Sequence, residues 1–144
     1  MEKLFILAFM IISVLSYEDL GQTKLAKMQK LLAKSEDGVV HLPPKDYNYL
    51  VEENPRPYDV VMLWNVRPGK CEHCMEAEEE YNSVVYSFLK SRGQKSDTKE
   101  KKIFFGVYYF EKDKAVQKVF KDHGLLTVPY LTVSEMDLKR APKT

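Results

Sequence analysis

The sequence predicts an α/β domain, a central and largely parallel sheet flanked by helices on both faces. Three observations carry this. Apolar runs of strand length alternate with segments of helical periodicity from residue 39 to residue 133. The middle run, Val60-Val61-Met62-Leu63-Trp64, has no polar interruption, as a strand buried on both faces requires. The only two cysteines, Cys71 and Cys74, stand three apart between that run and a helical pattern. Strands that alternate with helices pair in parallel, with the helices crossing over the sheet.

The chain has 144 residues, the length of one domain. It is 44% hydrophobic and 12% aromatic, enough to bury a core and too much for a disordered chain. Its 22 basic and 21 acidic residues nearly cancel, so charge gives no case for nucleic acid binding. Lys3 followed by the apolar run 4–15, broken only by Ser13, reads as a secretory signal peptide over residues 1–16, cut before Tyr17. An uncleaved anchor or a buried strand are the other readings of that run. It falls short of the ~20 apolar residues that span a bilayer, and no later stretch reaches that length. Residues 17–144 would then form the domain, in an oxidising compartment where disulfides persist. Two cysteines are too few for a disulfide scaffold there, which leaves redox chemistry as the more economical use. No Asn-x-Ser/Thr acceptor occurs.

The elements follow in order. Leu25, Met28, Leu31 and Leu32 give residues 23–34 helical spacing, with Lys24, Lys27, Lys30 and Lys34 as a solvated face. Residues 39–42 form a short strand, closed by Pro43-Pro44. Asp46 caps a short helix carrying Tyr47, Tyr49, Leu50 and Val51. Residues 58–64 form the buried strand. From Glu72 a helix presents Tyr81, Val84, Val85 and Phe88 on one face, with glutamates in its first turns where the helix dipole favours them. Residues 91–102 are polar and read as a surface loop. Residues 103–110 form a third strand. Asp113 caps a helix burying Val116, Val119 and Phe120, and Gly124 ends it. Residues 127–133 turn into a fourth strand, after which the chain is polar.

The chemistry concentrates at Cys71-Glu72-His73-Cys74. Thiol–disulfide exchange needs one attacking thiolate and a second thiol to resolve the mixed disulfide. At a helix start the first cysteine meets unpaired N–H groups that favour its thiolate. Cys71 is therefore the expected nucleophile and Cys74 the resolving thiol, buried one turn further. His73 is the candidate redox-tuning residue, since an imidazolium would stabilise a thiolate; Glu72 and Glu76 oppose it. A zinc site would need two more ligands, and His41, His73 and His123 are not at finger spacing. No metal and no cofactor are expected. Val128-Pro129, opening the last strand, is a candidate for a cis bond.

These features look like a thioredoxin-type domain. Further residues narrow the likeness. The run Arg56-Pro57-Tyr58-Asp59-Val60-Val61-Met62-Leu63, a short insertion and then Cys71-Glu72-His73-Cys74 resemble the lumenal domain of the oxidoreductase subunits of oligosaccharyltransferase. So do Val119-Phe120, Gly124-Leu125 and Thr127-Val128-Pro129. That family includes paralogues linked to magnesium transport. The resemblance implies a thioredoxin-like fold with a mixed sheet and an extra N-terminal helix. It implies residence in the endoplasmic reticulum lumen, with oligosaccharyltransferase subunits and cysteine-containing nascent polypeptides as partners. Transient mixed disulfides at Cys71 and Cys74 would hold those polypeptides for N-glycosylation, with Val128 and Pro129 bordering the peptide groove. The subunit itself transfers no sugar.

The sequence departs from the family in three respects. The Trp-Cys-Gly-Pro-Cys of thioredoxin itself is absent, with Lys70 before Cys71. Tyr108 and Tyr109 stand where these subunits often carry an aspartate in the third strand. The family also continues into a last strand, a helix and four membrane spans; the spans are expected to be absent here and the last strand and helix missing or incomplete. The chain therefore reads as a fragment, with membrane attachment only through segments it lacks, or as a diverged soluble member. Two other functions compete. Cys-x-His-Cys resembles the site of free-standing lumenal disulfide isomerases, with Glu72 in place of the usual glycine. A redox-inert peptide-binding module with a permanent Cys71–Cys74 disulfide is the third.

Overall fold

The computed structural model describes residues 2–67, 69, 71–93 and 102–138. Helix α1 (Glu2–Leu32) leads into strand β1 (Val39–His41). Helix α2 (Pro44–Tyr47) continues as one wide π-turn over Asn48–Glu52. Strand β2 (Asp59–Val66), helix α3 (Glu72–Gly93), strand β3 (Ile103–Phe110), helix α4 (Lys114–Asp122) and strand β4 (Tyr130–Ser134) complete the chain. The sheet order is β1-β3-β2-β4. The first three strands run parallel and β4 runs antiparallel to β2, so the sheet is mixed and the fold thioredoxin-like.

The period of two along each strand sorts the core into two layers. Val60, Met62 and Trp64 of β2, with Phe104 and Tyr108 of β3, face α1, α2 and α4. Leu63 with Phe105 and Val107 faces α3, which answers with Tyr81 and Val85. Trp64 is fully buried and packs edge-on to Phe120, with Tyr47 and Tyr108 also against its ring. Its indole N–H donates to Thr132 Oγ1 at 2.8 Å, which ties β4 to the far layer. Full burial of such side chains contributes roughly 1.5–3 kcal/mol each. Gly106 leaves room for its strand neighbours: a Cβ there would lie 2.8 Å from Met62 Cε and 3.3 Å from the Val40 carbonyl.

Helix α4 starts and ends where its sequence directs. The Asp113 carboxylate accepts from the N–H groups of Ala115 (2.7 Å) and Val116 (3.3 Å), and Gly124 follows the last turn. Helix α1 runs without a break from Glu2 to Leu32. Elsewhere tertiary packing overrides the pattern. Lys24 is not on a solvated face but fully buried, its ammonium donating to the Glu53 carbonyl at 2.9 Å and lying 4.7 Å over the Tyr49 ring. Asp46 caps nothing; Pro43 precedes α2, and Asp46 pairs with Lys27 at 2.7 Å. Val84 is 60% exposed, because α3 lies on the sheet along Tyr81 and Val85 and turns Val84 toward the β4 side.

Helix α3 runs to Gly93, further than expected, and residues 94–101 of the expected surface loop lie outside the described residues. The segment after β4 folds back on the strand-leading run. Arg56 and Asp137 exchange backbone hydrogen bonds at 2.8 and 3.1 Å, and the buried Arg56 guanidinium donates to the carbonyls of Val51 and Glu135. Residues 139–144 of the polar tail are outside the described residues. Among the described residues no helix is long and apolar enough to cross a membrane, and no strand pairs with the outer edge of β4.

Candidate functional site

Strand β2 ends at Val66, and the chain needs one sharp turn to enter α3. Gly69 supplies it with φ 94°, a region that side chains resist. Pro68 and Lys70 of this turn lie outside the described residues. Cys71 is then the residue before the helix. Its carbonyl accepts the Met75 N–H at 3.2 Å, and its Sγ accepts the Cys74 N–H, also at 3.2 Å. Cys71 thus occupies the N-cap position, with sulfur where a capping oxygen normally sits. The amide aimed at it, together with the helix dipole, favours negative charge on that sulfur once the pair is reduced. A hydrogen bond to a charged group contributes about 1.5–3 kcal/mol.

Cys71 and Cys74 are joined by a disulfide, with Cα atoms 5.2 Å apart. Their environments differ. Cys71 is half-buried and Cys74 is 1% exposed. Of the two, Cys71 is the more open to solvent. His73 points outward, with its Nδ1 3.4 Å from Glu76 Oε2 and most of its side chain in solvent. Its charge, when present, is answered by Glu76.

Val128-Pro129 is a cis bond, as its place at the strand opening suggested. Both residues are half-buried. Tyr130, the next residue, pairs with Trp64 near the carboxyl end of β2. Pro129 and the cysteine turn thus occupy the same end of the sheet. On the α3 face Pro129 also borders an apolar groove of about 360 Å³, lined by Leu63, Tyr81, Val84 and Leu131 among others.

Beneath the disulfide lies a polar network that the sequence pattern did not expose. Asn65 ends the apolar run of β2 and is fully buried. Its amide Nδ2 donates to the Cys74 carbonyl at 2.9 Å and to Glu78 Oε2 at 3.3 Å, while its Oδ1 accepts the Val66 N–H at 2.9 Å. The other Glu78 oxygen accepts from the Tyr109 hydroxyl. Burial, followed by the hydrogen bond and charge of Glu78, raises the Tyr109 pKa, so this phenol stays a donor. The Arg67 guanidinium lies 5.1 Å over the Tyr109 ring and pairs with Glu111 at 2.6 Å, clamping the turn to the end of β3. Two signals were available: a lone amide closing an apolar strand, and a glutamate four residues after Cys74 on the same helix face. Among the described residues no three His, Cys, Asp or Glu side chains gather as a metal site needs.

A cysteine pair capping a helix at the end of a buried parallel strand, with a cis proline at the same sheet end, is a specific arrangement. A comparison with curated proteins found no match. The profile of the "OST3 / OST6 family, transporter family" matches residues 26–143, from the last two turns of α1 past β4, and the chain belongs to that family.

Proposed function

We propose that the chain serves oligosaccharyltransferase as an accessory subunit in the endoplasmic reticulum lumen. There it would hold cysteine-containing nascent polypeptides in mixed disulfides while nearby sites are N-glycosylated. Family membership supports the subunit role. One observation carries the chemistry: the half-buried Cys71 sulfur receives a helix N-terminal amide while its partner Cys74 is buried. Residues 1–16 would act as the secretory leader and residues 17–144 as the lumenal domain.

The steps balance without a cofactor. A substrate thiolate attacks Cys71 Sγ, a substrate–Cys71 bond forms, and the Cys71–Cys74 bond breaks with its electron pair leaving on Cys74, which takes up a proton. For release, Cys74 loses its proton and attacks Cys71 Sγ. The substrate leaves as a thiolate and the internal disulfide returns. The peptide backbone is proposed to lie along Val128 and Pro129, at the same sheet end as Cys71. His73 acts at most as a weak tuner, because it is exposed and paired with Glu76.

The test is adduct trapping. Reduced Cys74→Ser protein is mixed with peptides carrying a cysteine in an activated disulfide. A stable one-to-one adduct at Cys71 is expected, which wild type releases. If Cys74→Ser accumulates no adduct while wild type still turns over peptide disulfides, the assignment of the two cysteines is wrong. If neither reacts and the disulfide resists a glutathione buffer, the pair is structural.

A further inference from the structure

Mixed-disulfide chemistry makes a demand on Cys74 that Cys71 escapes. Each capture delivers a proton to Cys74, and each release removes one. Yet Cys74 is 1% exposed, and bulk water does not serve it freely. The carboxylate linked to its backbone through Asn65 is Glu78. It lies four residues on, over the same helix face, where side chains lean back toward the helix N-terminus. It is half-buried and so keeps a route to solvent. Both its oxygens are held: one by the Tyr109 hydroxyl, the other at 3.3 Å by the Asn65 amide that also grips the Cys74 carbonyl at 2.9 Å. Two neutral donors from two strands fix a carboxylate against the one turn of helix that carries the buried sulfur.

We propose that Glu78, fixed by Tyr109 and Asn65, accepts the proton of Cys74 during release and so sets how long a mixed disulfide at Cys71 survives. The proposal rests on the mixed-disulfide reading above. In the releasing step the Cys74 S–H bond breaks, its proton passes to the Glu78 carboxylate and its electron pair forms the Cys71–Cys74 bond. The electron pair of the Cys71–substrate bond departs with the substrate sulfur. Glu78 then returns its proton to water.

The groups facing this pair are few. From β2 there is the non-titrating Asn65, and from β3 Tyr109. His41 of β1 stacks on the Tyr109 ring at 6.3 Å, and Arg67 covers the same ring while bound to Glu111. Asp37 adds a negative charge felt at Tyr109. On α3 itself His73 and Glu76 are exposed and paired to each other.

The experiment separates the two sulfur steps in the full chain. Adduct formation at Cys71 and adduct release by Cys74 are timed with an activated-disulfide peptide across a pH series, for wild type, Glu78→Gln, Glu78→Asp and Tyr109→Phe. Circular dichroism checks that each variant is folded. Glu78→Gln keeps the shape and an acceptor for Tyr109 but cannot take a proton. Release is expected to slow about a hundredfold, the low end of what a general base contributes, with formation within about twofold of wild type. Its pH profile should change shape, Glu78→Asp should recover part of the rate, and Tyr109→Phe should fall between. Release that is unchanged or faster in Glu78→Gln overturns the proposal, since a carboxylate that merely repels the Cys74 thiolate would speed release on removal. Equal slowing of both steps also overturns it, as a structural effect. If wild type forms no adduct, the parent reading fails and takes this one with it; if wild type forms and releases adducts normally and only Glu78→Gln disappoints, this proposal fails alone.

Discussion

Replacing Asn65 with leucine tests whether the network under the disulfide is structural cement or an incidental contact. The change keeps the branching and heavy-atom count but removes every polar atom of a fully buried side chain. The Val66 N–H then loses its 2.9 Å acceptor, and the Cys74 carbonyl loses its 2.9 Å side-chain donor. An orphaned buried backbone donor costs about 1–3 kcal/mol. The Cys74 carbonyl keeps the helical N–H four residues on, so its loss is nearer the ~1 kcal/mol of an ordinary hydrogen bond. The 3.3 Å bond to Glu78 is long and adds less, but leucine also sets an apolar surface against a carboxylate. Leucine burial returns part of the loss. The sum is a destabilisation of about 2–4 kcal/mol, a large share of the ~5–15 kcal/mol that holds a domain together. Urea unfolding of the oxidised protein reads it directly, as a lower midpoint at unchanged slope. In a double-mutant cycle, Asn65→Leu and Glu78→Gln should be non-additive by about 0.5 kcal/mol or more, because they share a bond. A destabilisation under about 0.5 kcal/mol, or strict additivity, would refute the network.

Two further outcomes follow from the burial of the tyrosines and the exposure of His73. Burial raises Tyr108 to about 12, and raises Tyr47, Tyr58, Tyr81 and Tyr109 in the same direction. Each unfolded phenol ionises near 10, so the stability these groups contribute is complete below pH 10 and drains as pH climbs through 12. Burial lowers Lys24, which works the opposite way below its unfolded value of 10.5, but it is one group against five. Tyrosinate absorbance from the buried phenols should rise together with loss of the circular dichroism signal; full ionisation in a still-native protein would contradict the burial. His73→Ala should move the reduction potential by no more than about 20 mV, since an exposed pair contributes about 0.2–1 kcal/mol and 30 mV corresponds to ~1.4 kcal/mol. A larger shift in potential would restore His73 as a strong tuner.

Much of the fold was legible because its strands are long and unmixed. Eight-residue β2 and β3 pair along their whole length, and their apolar runs left little choice of structure. The cap of α4 was legible for a local reason, an aspartate bonding amides two and three residues on. Lys24 and Asp46 were misplaced because their partners lie far along the chain. Glu53 is 29 residues from Lys24, and Lys27 is 19 from Asp46. No window of helical periodicity contains such a partner. Val84 matched the apolar template and still faces outward, because the angle at which α3 crosses the sheet decides which of two adjacent stripes is buried.

The site divides along the same line. Cys71 and Cys74 were visible because their chemistry is local: a cap, an amide and a sulfur within four residues. Asn65, Glu78 and Tyr109 were not, because they meet only when β2, α3 and β3 pack. By sequence alone, Tyr109 reads as the loss of a carboxylate from the third strand. With Glu78 bound to its hydroxyl, a carboxylate occupies the space beside that strand but arrives from the helix. The two placements differ physically. A carboxylate on the strand stays where it is when the helix start moves, whereas Glu78 travels with Cys74 on one rigid turn. Any motion of the α3 start on disulfide opening would then keep the carboxylate in register with the sulfur and load the Asn65 and Tyr109 bonds instead. The strand residues, not the helix, should therefore report the redox state, with the Tyr109 ring and Asn65 amide resonances shifting most between the oxidised and reduced protein.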